Sequence, residues 1–240
     1  MKLTLHRYEL FVFIIIMILT GSVGITSKDA SVFFGTYPKQ RYPYTLALTF
    51  DDGPYPGYTE KLLNLLESEN VKATFFLTGH SANRYPELVK LISKKNHEIG
   101  GHTYSHVNVK KMSEKALLNE LDMTKSAIEK NSGKRVYLFR PPGGQINTRA
   151  LKTLHNHGYL TVLWTVLPKD HEPRVMKEDI VNTTLRDAGD TGIILLHSGR
   201  ERTLEALPEI IWGLRQKGFR FATISELMVS EGARGRGCVK

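Results

Sequence analysis

Two histidines and two aspartates of this sequence have the residue types and spacing of metal ligands. His102 and His106 are separated by three residues, which predicts that both imidazoles lie on one side of a helical turn. Asp51 and Asp52 follow the apolar run that ends at Phe50. Two imidazoles and one carboxylate leave an open position for water or substrate, as catalytic zinc sites do. Each pattern alone has a simpler explanation, since aspartates also cap turns and helices and a His-x3-His spacing is common by chance.

Three more polar residues follow later apolar segments. Arg140 opens an Arg-Pro-Pro-Gly-Gly sequence, which indicates a rigid loop, and its guanidinium could pair with an aspartate. His197 comes directly after the apolar run at residues 193–196, and Asp170 could orient its imidazole. Taken alone, these residues are also compatible with an incidental surface arginine and a hydrogen-bonded core histidine.

Short apolar runs alternate with amphipathic helical segments from residue 44 onward. The alternation predicts an α/β fold with a buried, parallel sheet. The number of strands favours a barrel with fewer than the usual eight, whose functional residues lie at the carboxyl ends of the strands. An open doubly wound sheet is the alternative, although no glycine-rich phosphate loop follows the first strand, which argues against a nucleotide fold. The predicted strands are 44–50, 73–77, 97–101, 136–139, 159–166, 192–196 and 219–222, and the predicted helices are 58–70, 86–95, 113–131, 148–157, 177–188 and 203–217.

Length and composition indicate one globular domain with a short appendage. The chain has 240 residues, of which 41% are hydrophobic and 24% are charged, as in ordinary globular proteins. Lysine and arginine exceed aspartate and glutamate by 33 − 24 = 9, but the basic residues are mixed with acids, so the sequence predicts no nucleic-acid interface. The single cysteine, Cys238, excludes an intrachain disulfide and a four-thiolate zinc site.

The N-terminus has the organisation of an export signal. Basic residues come first, an unbroken apolar run spans residues 10–19, and small residues follow it. We predict a signal peptide or uncleaved membrane anchor over 1–25, a linker or lead-in strand over 26–43, the main domain over 44–230 and a flexible tail over 231–240. The protein is therefore expected to be exported, whether secreted, periplasmic or anchored facing outward, with membrane contact through the N-terminus if the leader is retained.

Four motifs together resemble those of the polysaccharide deacetylases, the NodB-homology or carbohydrate esterase family 4 group. They are Thr49-Phe50-Asp51-Asp52-Gly53, His102-Thr103-Tyr104-Ser105-His106, Arg140-Pro141-Pro142-Gly143-Gly144 and Leu195-Leu196-His197. The resemblance implies a distorted, incomplete (β/α)7-type barrel and a divalent metal, zinc foremost, with Co2+ or another divalent ion also open. It implies hydrolysis of N-acetyl groups from amino sugars of a polysaccharide, such as peptidoglycan, a chitin-like glycan or poly-N-acetylglucosamine, with release of acetate.

The resemblance also implies a role for each matched residue. Asp51 would be the general base, held by Arg140, and His197 would be the general acid, oriented by Asp170. Asp52, His102 and His106 would be the metal ligands. The backbone of Gly143 would donate to the oxyanion, and Leu195 would form part of the acetyl pocket.

Two departures from the family motifs leave the identity of the glycan undecided. Gly143 stands where the family often has an aromatic residue, and Leu167 and His171 replace the first aspartate and the tryptophan of an Asp-x-x-Asp-Trp motif.

Three other functions are alternatives to polysaccharide deacetylation. The same site would deacylate another amino sugar, such as a lipid-linked one, close to a membrane. A glycan-binding module that has lost catalysis would not need Asp51 and His197, and an anchored structural protein would not need metal ligands at strand ends. The partner that the resemblance implies is an N-acetylated glycan, and the protein is expected to be a monomer.

Overall fold

The computed structural model describes residues 32–33, 44–189 and 191–235, with side chains described over 44–189 and 191–229. The predicted leader lies outside the described residues. None of the helices within these ranges is both long enough and apolar enough to cross a membrane.

Within the described ranges, eight strands form one sheet in which all the paired strands run parallel. In chain order they are β1 (Val32–Phe33), β2 (Thr45–Asp51), β3 (Thr74–Leu77), β4 (Glu98–Gly101), β5 (Leu138–Phe139), β6 (Leu160–Val162), β7 (Thr191–His197) and β8 (Arg220–Phe221). The order along the sheet is β1-β6-β5-β4-β3-β2-β7, and β8 pairs with β2 beside this path. The sequence predicted β2 to β8, whereas β1 lies in the segment that was predicted as a linker or lead-in strand.

The sheet curls into a distorted barrel because β2 changes neighbours along one side. Residues 49–51 pair with β3, whereas residues 45–46 pair with β8, which fills the gap where β2 and β3 diverge. On its other side β2 pairs with β7 over its whole length. The chain beyond β6 then joins β7 through a parallel bridge between Val166 and Ile194. The predicted incomplete barrel is confirmed, and the chain does not adopt the open doubly wound alternative.

The predicted helices are all present, with ends that differ from the prediction by at most two residues. In chain order the helices are α1 (Tyr58–Ser68), α2 (Gly79–Arg84), α3 (Pro86–Lys94), α4 (Glu114–Ser132), α5 (Thr148–Asn156), α6 (Lys177–Asp187), α7 (Glu201–Gln216) and α8 (Ile224–Gly235). Local capping defines the ends of α4, where the Ser113 hydroxyl accepts the N–H of Ala116 and Gly133, at φ 67°, terminates the helix.

Helices α2 and α8 were not predicted from the sequence. Helix α2 is short and buries only Gly79 and Ala82, so it has no apolar stripe to recognise. Helix α8 buries Ile224 and Leu227 in the interior of the barrel. It extends as far as Gly235, into the segment for which a flexible tail was predicted.

The core has two layers that follow the alternation of side chains along the strands. Leu46, Leu48 and Phe50 of β2 belong to the larger layer, between the sheet and the helices. The inner layer of the barrel consists of Ala47, Phe76, Leu138, Val162 and Ile193 together with two residues of α8. Alternation therefore places Thr49 and Asp51 on the inner face of β2, above Ala47 and towards the carboxyl end of the strand.

Candidate active site and metal centre

The register of two neighbouring strands places the predicted base and acid side by side. Asp51 lies opposite His197, and Thr49 lies opposite Leu195, in the pairing of β2 with β7. Asp51 and His197 are the last residues of their strands. The predicted position of the site, at the carboxyl ends of the barrel strands, agrees with this arrangement.

Asp52 leaves the strand in a different direction and reaches the two predicted metal-binding histidines. Its backbone is left-handed, with φ 77°. Its Oδ1 lies 3.2 Å from His106 Nε2 and 3.5 Å from His102 Nε2. That oxygen is buried and has no hydrogen-bond partner among the described residues. Because an unpaired buried carboxylate oxygen is costly, this group of ligand atoms, all within 4.8 Å of one another, fits a divalent cation.

A hydrogen bond at Nδ1 of the His102 ring leaves its Nε2 atom available to a metal. Its Nδ1 lies 2.7 Å from the backbone oxygen of Arg140, which can only accept, so Nδ1 carries the hydrogen and Nε2 has the free lone pair. Burial lowers the pKa of His102, which keeps the ring neutral. Contact with Asp52 raises the pKa of His106. Burial opposes ionisation of Asp52, but the contact with His106 and the charges of His102 and His197 lower its pKa to about 2.

The two histidines lie on a loop, so the prediction of a helical turn is wrong. Thr103 and His106 are both left-handed, with φ 60° and 57°. The carboxylate of Glu120 in α4 accepts the N–H of Tyr104 at 2.7 Å, the N–H of Ser105 at 2.9 Å and the Ser105 hydroxyl at 2.7 Å. Because these N–H groups bind a side chain, they do not make the backbone bonds of a helix. The imidazoles nevertheless converge as the spacing predicted.

Arg140 is fully buried and holds Asp51. Its Nη1 donates at 2.7 Å to both Thr49 Oγ1 and Asp51 Oδ1. Its Nε donates to the backbone oxygen of Val162, the last residue of β6, and its Nη2 donates to that of Leu163, both at 3.3 Å. Burial lowers the pKa of Arg140, but a guanidinium stays charged in proteins. Only Oδ2 of Asp51 then remains for chemistry, and it lies 3.6 Å from His102 Nε2.

Asp170 holds His197 from two directions. Its Oδ1 lies 2.7 Å from His197 Nδ1, and its Oδ2 accepts the backbone N–H of His197 at 2.7 Å. The same Oδ2 accepts the hydroxyl of Thr203 at 2.7 Å. Burial lowers the pKa of His197, but the bond to Asp170 and the surrounding negative charges outweigh it and raise the pKa above its usual value. The imidazole is thus held in one orientation and favours its protonated form.

Gly143 and Leu195 lie beside this network without contributing a polar side chain to it. Leu195 is buried on the inner face of β7. Gly143 follows Arg140 closely and is left-handed, with φ 61°, and a Cβ there would meet nothing nearer than 3.8 Å. At Gly144 a Cβ would lie 2.8 Å from the ring of Trp164, so this glycine allows the loop to pack against that ring.

Three supporting residues were not predicted from the sequence. Thr49 lies within a motif that was recognised, and alternation along β2 could have placed it on the same face as Asp51. Glu120 and Thr203 have no local signal, because they lie 16 and 33 residues from the groups they hold, Tyr104 and Asp170. Their roles depend on how α4 and α7 pack.

Known proteins are similar to this chain in both sequence and fold. The sequence model of the family described as Polysaccharide deacetylase matches residues 39–162. The peptidoglycan-N-acetylglucosamine deacetylase of Bacillus cereus is 43% identical over 189 residues, which cover 76% of this chain and 87% of that protein. The chain belongs to the polysaccharide deacetylase family.

Two further comparisons extend this family relationship. The peptidoglycan-N-acetylmuramic acid deacetylase PdaC of Bacillus subtilis is 37% identical over 182 residues, 76% of this chain and 38% of that protein. The crystal structure of the Bc1960 peptidoglycan N-acetylglucosamine deacetylase superimposes with a TM-score of 0.78 at 36% identity, covering 83% of this chain and 93% of that chain. The predicted family and class of enzyme, a metal-dependent polysaccharide N-deacetylase, are confirmed.

Proposed function

We propose that this polysaccharide deacetylase removes the N-acetyl group from N-acetylglucosamine residues of peptidoglycan and releases acetate. The proposal rests on one observation. The ligand atoms of Asp52, His102 and His106 lie in the same site as the buried ion pair between Asp51 and Arg140. The choice of sugar is supported by the relative from Bacillus cereus and by the Bc1960 structure. The similarity to PdaC makes N-acetylmuramic acid the second candidate.

Asp52, His102 and His106 would hold the metal, and we propose zinc. Two imidazoles and a carboxylate are a ligand set that catalytic zinc uses. When bound, such an ion supplies Lewis acidity to the acetyl oxygen and to a water molecule. The carbonyl of Arg140 orients His102 at 2.7 Å for this purpose.

Asp51 is proposed as the general base. Arg140 holds its Oδ1, so that only Oδ2 faces the metal-binding histidines. From this position Oδ2 would take the proton of the water that attacks the acetyl carbon. General bases of this kind contribute roughly 10²- to 10⁴-fold to the rate.

His197 is proposed as the general acid. Its Nδ1–H is bound to Asp170, which leaves Nε2–H to donate. An amine is a poor leaving group until it is protonated, so transfer of this proton to the sugar nitrogen accompanies cleavage of the C–N bond. Because the pKa of His197 is raised above its usual value by the bond to Asp170, the ring keeps its donor proton to higher pH than a free imidazole does.

Two residues beside the network are proposed to hold the acetyl group. The backbone N–H of Gly143 would donate to the oxyanion, an interaction typically worth about 3 to 4 kcal/mol. The side chain of Leu195 would face the acetyl methyl group from the inner wall of the barrel. Because no side chain is present at Gly143, the wall that faces the glycan is more open there than an aromatic residue would make it.

We also propose that the protein acts outside the cytoplasmic membrane, as a monomer. A peptidoglycan substrate is reached only there, and the basic and then apolar residues at 1–25 are typical of an export signal or anchor. The excess of basic residues favours attraction of the enzyme to an anionic wall polymer.

The proposal is tested by acetate release from three substrates: peptidoglycan, chitin oligomers and a lipid-linked N-acetyl amino sugar. We expect the zinc-loaded protein to release acetate from peptidoglycan. Mass spectrometry of the digested product should then show free amines on glucosamine. Asp51→Asn serves as the inactive control. Free amines on muramic acid would select the second candidate, and release from the lipid-linked sugar alone would contradict the proposal.

A further inference from the structure

A second histidine pair lies next to the predicted metal centre. The ring centroids of His171 and His197 are 4.7 Å apart, and their planes make an angle of 58°. The corresponding values for His102 and His106 are 5.1 Å and 58°. Each pair also has an aspartate beside it, and the ligand atoms of Asp170, His171 and His197 lie within 4.8 Å of one another, as those of the first group do. The two pairs therefore have similar ring separations and the same angle between their planes.

Within the second group, Asp170 orients a ligand and does not act as one. Its Oδ1 is bound to His197 Nδ1, and its Oδ2 accepts hydrogen bonds from the backbone of His197 and from Thr203. The donor atoms that remain are Nε2 of His197 and a ring nitrogen of His171. A carboxylate that takes the other ring N–H of a metal-binding histidine is the usual arrangement at such centres.

The second pair is accessible from the solvent. His171 is exposed, and the side chain of His197 is 14% exposed. The pair depends on His171, which follows Asp170 directly in the chain. Its neutral imidazole has one ring nitrogen with a free lone pair for a metal.

We propose that His171 and His197 form a second divalent-cation site, which takes Zn2+ when the metal exceeds one equivalent. With two imidazole ligands, the site should bind more weakly than the centre formed by Asp52 and its two histidines. One consequence rests on the proposed function. An ion on Nε2 of His197 displaces to solvent the proton that would go to the sugar amine, so excess Zn2+ inhibits deacetylation.

Metal binding tests the site independently of catalysis. Equilibrium dialysis of the full chain should give two Zn2+ ions per wild-type protein at high metal concentration and one for His171→Phe, which keeps an aromatic ring against His197 without a ligand atom. His155→Ala, which removes an exposed histidine of α5, should retain both ions. One ion per wild-type chain at every concentration would overturn the proposal, as would two ions bound to His171→Phe.

Turnover measured at increasing Zn2+ then tests the existence of the second cation site separately from the proton-donor role of His197. Each protein is compared with its own rate at one equivalent of metal. We expect excess Zn2+ to inhibit the wild type and His155→Ala and to leave His171→Phe unchanged. A second ion that binds through His171 without lowering turnover would support the site and contradict the proton-donor role of His197.

Discussion

Asp51 and Asp52 are adjacent in sequence and yet have different partners. Asp51 lies on the inner face of β2 and is bound by Arg140, whereas the left-handed backbone of Asp52 turns its carboxylate towards His102 and His106. Asp51 thus belongs to a buried ion pair, and Asp52 belongs to the proposed metal centre. Substitutions at the two positions should therefore fail in different ways.

Asp51→Asn should keep the metal and lose turnover by roughly 10²- to 10⁴-fold, because an amide cannot accept the proton of water. Asp52→Ala should instead bind zinc at least about 100-fold more weakly, since loss of an outer-shell partner alone costs 10- to 100-fold. Metal content, measured beside acetate release at low and high zinc, distinguishes the two. Metal loss in Asp51→Asn with retention in Asp52→Ala would show that the roles are exchanged.

The pH dependence of turnover should report the pair formed by His197 and Asp170. Because the bond and charge of Asp170 raise the pKa of His197, the acid stays protonated to higher pH than a free imidazole. Asp170→Asn removes that charge, so the alkaline limb of kcat/KM should move to lower pH while bound zinc is unchanged. An alkaline limb that stays in place would argue against His197 as the acid.

Helices and loops determine the direction of the side chains in the proposed active site. The loop that carries His102 and His106 has two left-handed residues and depends on Glu120 of α4 for its N–H partners. The loop after Arg140 passes close to Trp164 at Gly144. Single substitutions in the second loop and in the helix that supports the first test how far geometry controls activity.

Glu120→Ala should weaken zinc binding by about 10- to 100-fold, because the N–H groups of Tyr104 and Ser105 lose their acceptor and the histidine loop is released. Asp122→Ala is the matched control, since it removes an exposed carboxylate from the same helix. Zinc affinity is measured by competition with a chelating dye. Equal affinity in the two variants would show that the loop is held by other contacts.

Gly144→Ala should destabilise the protein more than Gly133→Ala. Both glycines have φ 67°, so both variants carry the strain of a left-handed alanine, about 1 to 3 kcal/mol. Only at position 144 would the new methyl group meet another residue, 2.8 Å from Trp164. Urea denaturation measures the difference in stability between the two variants. We expect only Gly144→Ala to lose activity as well. Equal midpoints would mean that the Trp164 ring can move away.

At the scale of the whole molecule, the barrel brings residues from distant parts of the chain to one end. Strand β8 fills the gap between β2 and β3, and α8 inserts Ile224 and Leu227 among the inner residues of the strands. At the edge of the sheet, β1 adds two residues beside β6, where Val32 pairs with Thr161 and Phe33 with Val162. The described sheet therefore includes two residues of the segment predicted as a linker or lead-in strand.

A chain that begins at Thr26 should be soluble and as active as the full chain, because it lacks only the predicted leader. A chain that begins at Tyr44 also loses β1, so its free energy of unfolding should fall by roughly 1 kcal/mol for each lost backbone hydrogen bond. The urea midpoint should fall accordingly. Acetate release and denaturation curves are compared for the two. Loss of all activity in a folded Thr26 chain would contradict the prediction that residues 1–25 are dispensable for catalysis.

The sequence by itself determined the alternation of strands and helices, the order of the motifs and the types of residue at strand ends. These features are local, since apolar periodicity and residue type are properties of short segments. The predicted helices accordingly lie within two residues of their observed ends. Residue type was also enough to select His102, His106 and the two aspartates as candidates for one site.

Only the tertiary structure decided how those candidates are connected. The register of β2 with β7 places Asp51 beside His197, whose positions in the chain are far apart. Glu120 and Thr203 reach their partners through the packing of whole helices, and the histidine loop abandons the predicted turn because a side chain of α4 takes its N–H groups. Such contacts depend on register and packing between distant segments, which no local pattern encodes.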